Sequence, residues 1–376
     1  MKLKVTVLGA GFGGLELTSI LSETLGDRLD LTLIDQNDSF FFGFSKLDVM
    51  FGHKPSESVK IPYNSITKPG VKFKKETITA IDPVTKTVTT QNASYQSDVL
   101  VIALGANYDM NATPGLAEYG NEYYSFSGAE KLRDILPGFT KGHAVVGVCG
   151  APFKCPPAPS EGALMLHDYL TDRSLRDQCS ITLVIPFGSP IPPSPDSSKA
   201  LVKSFEERNI RFIPQRKISA VDKNKKVILD DGTELPCDLL LGIPKHVAPD
   251  VVLRSPLAEN GWIAVDRTNL RTKFPGVYAV GDVTSVGTPK AGVFAEGAAK
   301  IAAASIIAEF NGKENNIPYT GAGSCYIEFG KGTVARVDVD FFSGPKPFGV
   351  HHDASELLVI DKEQFGASRK ARWFNL

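Results

Sequence analysis

Gly9-Ala10-Gly11-Phe12-Gly13-Gly14 follows a short apolar strand, residues 4–8, and leads into a predicted helix over 14–25. The next apolar strand, 31–35, ends on Asp35. Glycine turns of this kind bring a pyrophosphate to a helix N-terminus, and an acid about 20 residues further on binds the ribose. The glycines alone would only tighten a strand–helix turn. With strand, helix and acid in place, the pattern predicts a dinucleotide site.

A second strand–turn–helix unit begins at residue 144 and lacks this glycine pattern. Its strand, 144–148, runs into Cys149-Gly150-Ala151-Pro152-Phe153-Lys154-Cys155-Pro156-Pro157-Ala158-Pro159-Ser160-Glu161 and a predicted helix over 161–170. The following strand ends on Ile185-Pro186, with no acid or arginine to bind a ribose. Thiols, prolines and a carboxylate thus stand where glycines would bind the NAD(P)H pyrophosphate. We therefore expect thiol chemistry at this turn and no NAD(P)H site.

The composition excludes several classes of function. A chain of 376 residues is long enough for two domains or a little more. Its net charge of −1 and the lack of a Lys/Arg block argue against a nucleic-acid partner. No stretch approaches the roughly 20 apolar residues of a membrane span. A strand is predicted from Lys4, which leaves no room for a signal peptide, so we expect a cytoplasmic protein or one peripheral on the inner membrane.

The cysteines have neither the pattern of a structural disulfide framework nor that of a metal site. Their number is odd and their spacing irregular: they are Cys149, Cys155, Cys179, Cys237 and Cys325. No group of cysteines and histidines has zinc spacing, and neighbouring side chains in His351-His352-Asp353 point apart. We therefore expect no bound metal.

Three motifs together resemble the flavoprotein family of sulfide:quinone oxidoreductases and flavocytochrome c sulfide dehydrogenases, within the pyridine-nucleotide-disulfide-reductase-like group. They are Phe153–Glu161, Gly281-Asp282 with Thr288-Pro289-Lys290-Ala291-Gly292, and Ser324-Cys325-Tyr326. The resemblance covers essentially the whole chain. It implies FAD as cofactor, hydrosulfide or another small sulfur compound as substrate, and a quinone or a cytochrome as electron acceptor.

The resemblance also implies roles for four residues. Cys155 and Cys325 correspond to the two cysteines that form the family's redox-active disulfide; the alternative is two unrelated buried thiols. Glu161 corresponds to the family's proposed base, although a helix N-terminus favours a carboxylate by its dipole alone. Lys290 corresponds to a lysine that stabilises the reduced flavin, and the alternative is a surface lysine.

The predicted cofactor-binding residues lie in the glycine turn, at the end of the second strand and at the returning Gly-Asp. In flavoproteins of this layout, the Asp of Gly-Asp bonds the ribityl hydroxyls. The set is Gly9, Gly11, Phe12, Gly13, Gly14, Asp35, Gln36, Gly105, Gly281, Asp282 and Lys290. Residues 40–52, which match the segment of covalent FAD attachment in flavocytochromes, contain no cysteine, so we expect non-covalent FAD. The third cysteine usual in quinone-reducing relatives is also missing, since Tyr124–Gly128 offers only Ser127.

We predict an α/β fold of two Rossmann-like domains. Segment 4–105 is weakly repeated by 144–242, and 71–90 is predicted to form a hairpin or small meander around a turn at 83–86. The predicted domains are a split FAD-binding domain (1–105 and 255–325), an inserted, degenerate NAD-like domain carrying Cys155 (106–254), and a C-terminal cap or acceptor-side segment (326–376).

The acceptor side admits two interpretations. Aromatic side chains near the C-terminus would either wall a quinone slot or pack as a cap; they are Phe341, Phe342, Phe348, Trp373 and Phe374. The basic stretch 369–374 is a weak indication of membrane contact. The predicted function is FAD-dependent sulfide oxidation through Cys155 and Cys325. The alternatives are an NAD(P)H:quinone reductase of the same fold, or a non-catalytic flavoprotein redox partner.

Overall fold

The glycine turn lies at the carboxyl edge of a five-stranded parallel sheet. A computed structural model of the protein describes residues 2–376. The strands of this first sheet lie in the order Val277–Ala279, Val99–Ile102, Leu3–Leu8, Leu29–Asp35 and Val71–Lys75. Leu3–Leu8 is the central strand and is buried along almost its whole length, as expected where helices cover both faces of a parallel sheet.

A second parallel sheet repeats this arrangement around the cysteine turn. Its four strands lie in the order Ile210–Ile213, Cys179–Val184, Gly142–Val148 and Leu239–Ile243. Each parallel sheet has a three-stranded antiparallel sheet between its third and fourth strands in sequence: Ile78–Asp82, Thr87–Thr90 and Ser94–Gln96 in the first unit, and Ile218–Asp222, Lys226–Leu229 and Glu234–Pro236 in the second. The predicted α/β fold and internal duplication are therefore confirmed.

One detail of the hairpin prediction is wrong. The turn after Asp82 joins two antiparallel strands as predicted, but Val71–Lys75 pairs in parallel with Leu31–Asp35 at the edge of the first sheet. Its alternating exposure is that of an edge strand, which resembles a hairpin strand in sequence.

The helices connect and cover these sheets. They span Phe12–Leu25, Ser45–Met50, Leu116–Tyr119, Phe126–Ile135, Ala158–Asp172, Pro195–Glu207, Asp250–Leu253, Gly292–Phe310 and Glu356–Phe374. Short strand pairs complete the connections: Ser39–Phe40 with Ile61–Pro62, Asn107–Asp109 with Lys245–Val247, and Ala258–Glu259 with Trp262–Ile263. The long Ala-rich helix Gly292–Phe310 packs against Phe12–Leu25, so the returning segment completes the first unit.

The C-terminal segment bridges the two units. Its antiparallel sheet consists of Gly323–Gly330, Thr333–Asp340 and Phe348–Ser355, and it packs on the helix after the cysteine turn. The C-terminal helix Glu356–Phe374 then reaches the other unit, where Trp373 and Phe374 are buried in the core. The split-domain division stays a proposal. The boundary predicted between residues 325 and 326 would divide the strand Gly323–Gly330, so we place it before Gly323.

Candidate active site

The glycine turn has the shape needed to bind a pyrophosphate. Gly9 has a φ of +96°, and a Cβ there would overlap the carbonyl of Ala103 on the neighbouring strand. A Cβ at Gly14 would overlap the carbonyl of Gly9. By contrast, a Cβ at Gly11, the residue that precedes the helix, would meet no atom within 4 Å. The turn is therefore tight against its own sheet and open in front of the helix N-terminus, where an anion binds favourably.

The returning Gly-Asp lies beside this helix N-terminus. Gly281, with a φ of +79°, begins a turn over Gly281–Val283 that directly follows the strand Val277–Ala279. A Cβ at Gly13 would lie 2.9 Å from Val280 and 3.4 Å from the carbonyl of Ala295, in the first turns of the Ala-rich helix. The N-termini of both helices therefore meet at one place. Burial raises the pKa of the Asp282 carboxyl.

Asp35 and Gln36 lie at the predicted end of the second strand. The Asp35 carboxylate accepts hydrogen bonds from Ala10 N at 2.8 Å and from Asn37 N at 2.8 Å. Gln36 is exposed, and Gly105, with a φ of +68°, follows the strand Val99–Ile102. Asp35 thus ties the glycine turn to its strand, and its role toward a ribose stays a prediction.

Cys155 occupies a strained position immediately before the helix Ala158–Asp172. Its φ is +50°, a left-handed conformation that costs a non-glycine residue on the order of 1–3 kcal/mol. Its N–H donates to Lys290 O at 2.8 Å, and its carbonyl accepts from Ala158 N at 2.9 Å. The cysteine turn and the Lys290 loop are thus joined by backbone hydrogen bonds, and the strain is localised at a candidate nucleophile.

Cys325 and Glu161 lie in the same buried region as Cys155. Cys325 is in the strand Gly323–Gly330, and both thiols, which are free, pack against one hydrophobic core. Glu161, in the first turn of its helix and 4% exposed, accepts a hydrogen bond from Glu328 N at 3.0 Å. Its carboxylate therefore binds a neighbouring strand and caps no N–H group of its own helix.

The charge of the Glu161 carboxylate affects the pKa of both Cys155 and Cys325. Burial, followed by the Glu161 carboxylate, raises the pKa of Cys155 well above its usual value and that of Cys325 to about 12. Cys325 itself contributes to the shift at Cys155. Burial raises the pKa of Glu161 to about 7. Both shifts favour the protonated thiols, so a base would assist their chemistry, and the assignment of Glu161 as that base stays a prediction.

Lys290 is directed inward and is not a surface lysine. Its ammonium donates to the carbonyl of Asp282 at 2.5 Å and to that of Thr284 at 3.1 Å, and lies 3.4 Å from the centre of the Trp262 ring. Burial lowers its pKa to about 8. The structure therefore places a partly buried cation between the Gly-Asp turn and the cysteine turn.

Three further residues at this place were not predicted as site residues from the sequence. Lys46 donates to the carbonyl of Tyr124, and the ammonium of Lys154 lies 4.8 Å from the centre of the Tyr108 ring. His246 is fully buried, its Nδ1 bonds Pro244 O at 2.9 Å, and its Nε2 has no partner within the described residues. Lys154 adjoins Cys155 in sequence, which could have marked it; the other two are brought here only by the fold.

The cysteine turn of the second unit lies close to a neighbouring strand at Gly150. A Cβ at Gly150 would lie 2.5 Å from the Cβ of Lys245 and 3.1 Å from its nitrogen. The strand Lys245–Val247, paired with Asn107–Asp109, thus lies directly against this turn. The absence of an NAD(P)H site stays a prediction.

The aromatic residues near the C-terminus divide into two groups. Trp373 and Phe374 are fully buried, and Trp373 Nε1 donates to Glu16 at 2.7 Å. Arg372 pairs with the same carboxylate at 3.0 Å. The Arg372 and Trp373 side chains are therefore directed into the protein, whereas Lys370 is exposed, and membrane contact by the stretch 369–374 stays a prediction. Phe348, in contrast, is exposed.

Comparison with known proteins gives a consistent result. Residues 3–304 match the family described as pyridine nucleotide-disulphide oxidoreductase. The mitochondrial sulfide:quinone oxidoreductase of Mus musculus is 28% identical over 367 residues, which cover 91% of this chain and 79% of the mouse protein. A type II NADH:quinone oxidoreductase of Staphylococcus haemolyticus is 33% identical over 131 residues, covering 34% of this chain and 33% of that protein.

Among solved structures, the X-ray structure of the sulfide:quinone oxidoreductase from the hyperthermophilic bacterium Aquifex aeolicus has a TM-score of 0.89 to this chain. The two are 24% identical, and the match covers 99% of this chain and 91% of the Aquifex chain. The predicted resemblance is therefore confirmed along the whole chain, including the C-terminal segment.

Proposed function

This chain belongs to the pyridine nucleotide-disulphide oxidoreductase family of FAD-binding oxidoreductases, and we propose that it oxidises hydrosulfide at Cys155 and Cys325 and passes the electrons through FAD to a quinone. The observation that carries the proposal is that both thiols, each partly buried, pack against one hydrophobic core beside the Glu161 carboxylate and next to the Lys290 loop. The likeness to the mouse protein over most of both chains supports the choice of sulfide and quinone.

The residues present fit FAD. The open space at Gly11 and the two adjoining helix N-termini suit a pyrophosphate, and Asp282 and Lys290 lie where the family's ribityl and flavin contacts are expected. Bound FAD supplies a two-electron acceptor. The positive charge of Lys290 and the N-terminus of the Ala-rich helix favour negative charge at this place.

The thiols perform the sulfur chemistry in this proposal. In the oxidised enzyme Cys155 and Cys325 form a disulfide, and hydrosulfide attacks one sulfur, forming a persulfide and releasing the other thiolate. The persulfide and the thiolate then lose one proton and two electrons, which closes a bridge that retains the new sulfur atom. Bound FAD would take up the two electrons, and the Glu161 carboxylate would accept the proton. The left-handed backbone places the strain of this turn at Cys155, three residues before the helix Ala158–Asp172.

An NAD(P)H:quinone reductase is the second candidate, supported by the partial match to the Staphylococcus enzyme. The approach of Lys245 to Gly150 argues against it, because a pyrophosphate needs this turn to be open. The Glu161 carboxylate in the first turn of the following helix would also repel a phosphate.

Anaerobic titration separates these functions. We expect sulfide to bleach the flavin absorbance stoichiometrically and NADH to leave it unchanged. Bleaching by NADH would support the second candidate, and no bleaching by either would indicate a non-catalytic redox partner. Re-oxidation by decyl-ubiquinone, but not by cytochrome c, would support the quinone as acceptor.

An exposed apolar surface supports peripheral contact with the quinone's membrane. Leu357 and Ile360, in the first turns of the C-terminal helix, are 76% and 52% exposed. No helix among residues 2–376 has both the length and the apolarity to cross a bilayer. Large aliphatic side chains at one helix end would insert shallowly at a lipid surface.

We expect the FAD to be non-covalent. Residues 40–52 contain no cysteine, and the phenylalanines there pack instead against the aromatic cluster around Phe12 and Trp373. Acid precipitation of the holoenzyme should release yellow flavin into the supernatant. Flavin retained in the washed pellet would contradict this prediction.

A further inference from the structure

A buried chain of charges connects Glu161 to the C-terminal helix. Glu328, in the strand Gly323–Gly330, donates its backbone N–H to Glu161 at 3.0 Å. The Glu328 carboxylate forms an ion pair with Lys362 of the C-terminal helix. Lys362 is only 9% exposed, and its ammonium lies 4.9 Å from the centre of the Phe44 ring. The Lys362 ammonium is thus paired with Glu328, whose backbone N–H binds the Glu161 carboxylate.

The other groups that face Glu161 cannot replace this cation. The elements packed around it contribute the hydroxyls of Tyr123 and Tyr124 and the two thiols Cys155 and Cys325, all of which are neutral or become anionic. Asp48 lies on the far side of Lys362 and has its own partner, Lys54, at 3.1 Å.

We propose that Lys362 is a positioning residue that keeps Glu161 ionised, and thus able to act as a base, by placing a positive charge near it and by neutralising Glu328. The inference rests on the proposed role of Glu161 in sulfide oxidation. The C-terminal helix would thus contribute to the active site through the charge of Lys362, without contacting either thiol.

The charges around Glu161 and Lys362 shift the pKa of each group in the direction that the proposal requires. Burial raises the pKa of Glu161, the Lys362 ammonium opposes that rise, and the Glu328 carboxylate adds to it. Burial alone would lower the pKa of Lys362, but the carboxylates of Glu328 and Glu161 raise it, so this lysine stays protonated. Removing Lys362 and removing Glu328 should therefore act in opposite directions on Glu161.

Two variants of opposite sign test the proposal. Flavin reduction by sulfide is measured by stopped flow against pH in the holoenzyme. In Lys362→Met the acid limb of the profile should move up by about one pH unit or more, and in Glu328→Gln it should move down. Lys362→Arg should restore the wild-type limb. Lys300→Met is the matched control, because Lys300 pairs with the buried Glu296 at 2.8 Å on another helix, and its limb should not move.

A second readout does not depend on turnover. The difference in unfolding free energy between each variant and the same variant carrying Glu161→Gln, followed against pH, reports the titration of Glu161 alone. The inference would be overturned if the acid limbs of the pH profiles in Lys362→Met and Glu328→Gln stayed at the wild-type pH, or if both moved in the same direction. If Lys362→Met does not fold, the direction in Glu328→Gln decides. A wild-type flavin that sulfide does not reduce would instead contradict the proposed function.

Discussion

Cys155→Ser and Cys325→Ser are each expected to abolish the reduction of the flavin by sulfide while leaving FAD bound. A bridge of two sulfurs cannot form with one thiol, so the loss should approach the whole sulfide-dependent rate in either variant. Because both cysteines act as one unit, the double variant should be no slower than the single variants. The hydroxyl of serine fits the space of the thiol, and neither cysteine lies in the glycine turn or at Asp282.

The measurement is stopped-flow reduction by sulfide, with the flavin content of each variant determined from its absorbance. Cys179→Ser is the matched control, since Cys179 is also buried but begins a strand on the far side of the second unit's core. Near wild-type reduction in Cys155→Ser or in Cys325→Ser would show that the disulfide mechanism is wrong.

Glu161→Gln is expected to slow sulfide-dependent reduction at least tenfold and to flatten the acid limb of its pH profile. Loss of a general base typically lowers a rate by roughly 10²–10⁴-fold. The substitution keeps the side chain's size and an oxygen that can accept the N–H of Glu328. The rate loss therefore reports the titrating group more than the packing.

The stability of the same variant should change in the opposite sense. The pKa of Glu161, raised chiefly by burial, is about 7 in the folded protein, above that of an exposed glutamate. The stability that this group contributes is full below the unfolded pKa and is lost as pH rises through about 7. At pH 8 the glutamine variant should thus be more stable than the wild type, by up to about 3 kcal/mol. A variant that reduced its flavin normally and melted earlier would show Glu161 to be only structural.

The parts of the fold that the sequence predicted are those with short-range causes. The glycine turn at 9–14 needs specific backbone angles and close approaches within one strand–turn–helix unit. Its residues can therefore be predicted from the local sequence alone. Val71–Lys75 was misassigned because its alternation states only that one face is exposed, and its parallel partner lies about 40 residues earlier in the chain.

The candidate site was predictable only where its residues lie in motifs. Cys155, Glu161 and Lys290 lie within such motifs, and the structure joins Cys155 to Lys290 by a backbone hydrogen bond. Lys362 could not be found, because its partner Glu328 is on another element and the contact depends on how the C-terminal helix crosses the sheet. His246 is likewise placed by the pairing of the strands Lys245–Val247 and Asn107–Asp109, beside the cysteine turn.

The bond between Trp373 and Glu16 also has a consequence for how the protein is made. Glu16 emerges from the ribosome 357 residues before its partner, which at typical elongation rates of about 5–20 residues per second is a delay of roughly 20–70 s. During that time a carboxylate that is 2% exposed in the finished protein has neither its indole nor its arginine. The phenylalanines that later surround Trp373 are uncovered for the same period. We therefore expect the nascent N-terminal half to be prone to aggregation until the helix Glu356–Phe374 has been translated.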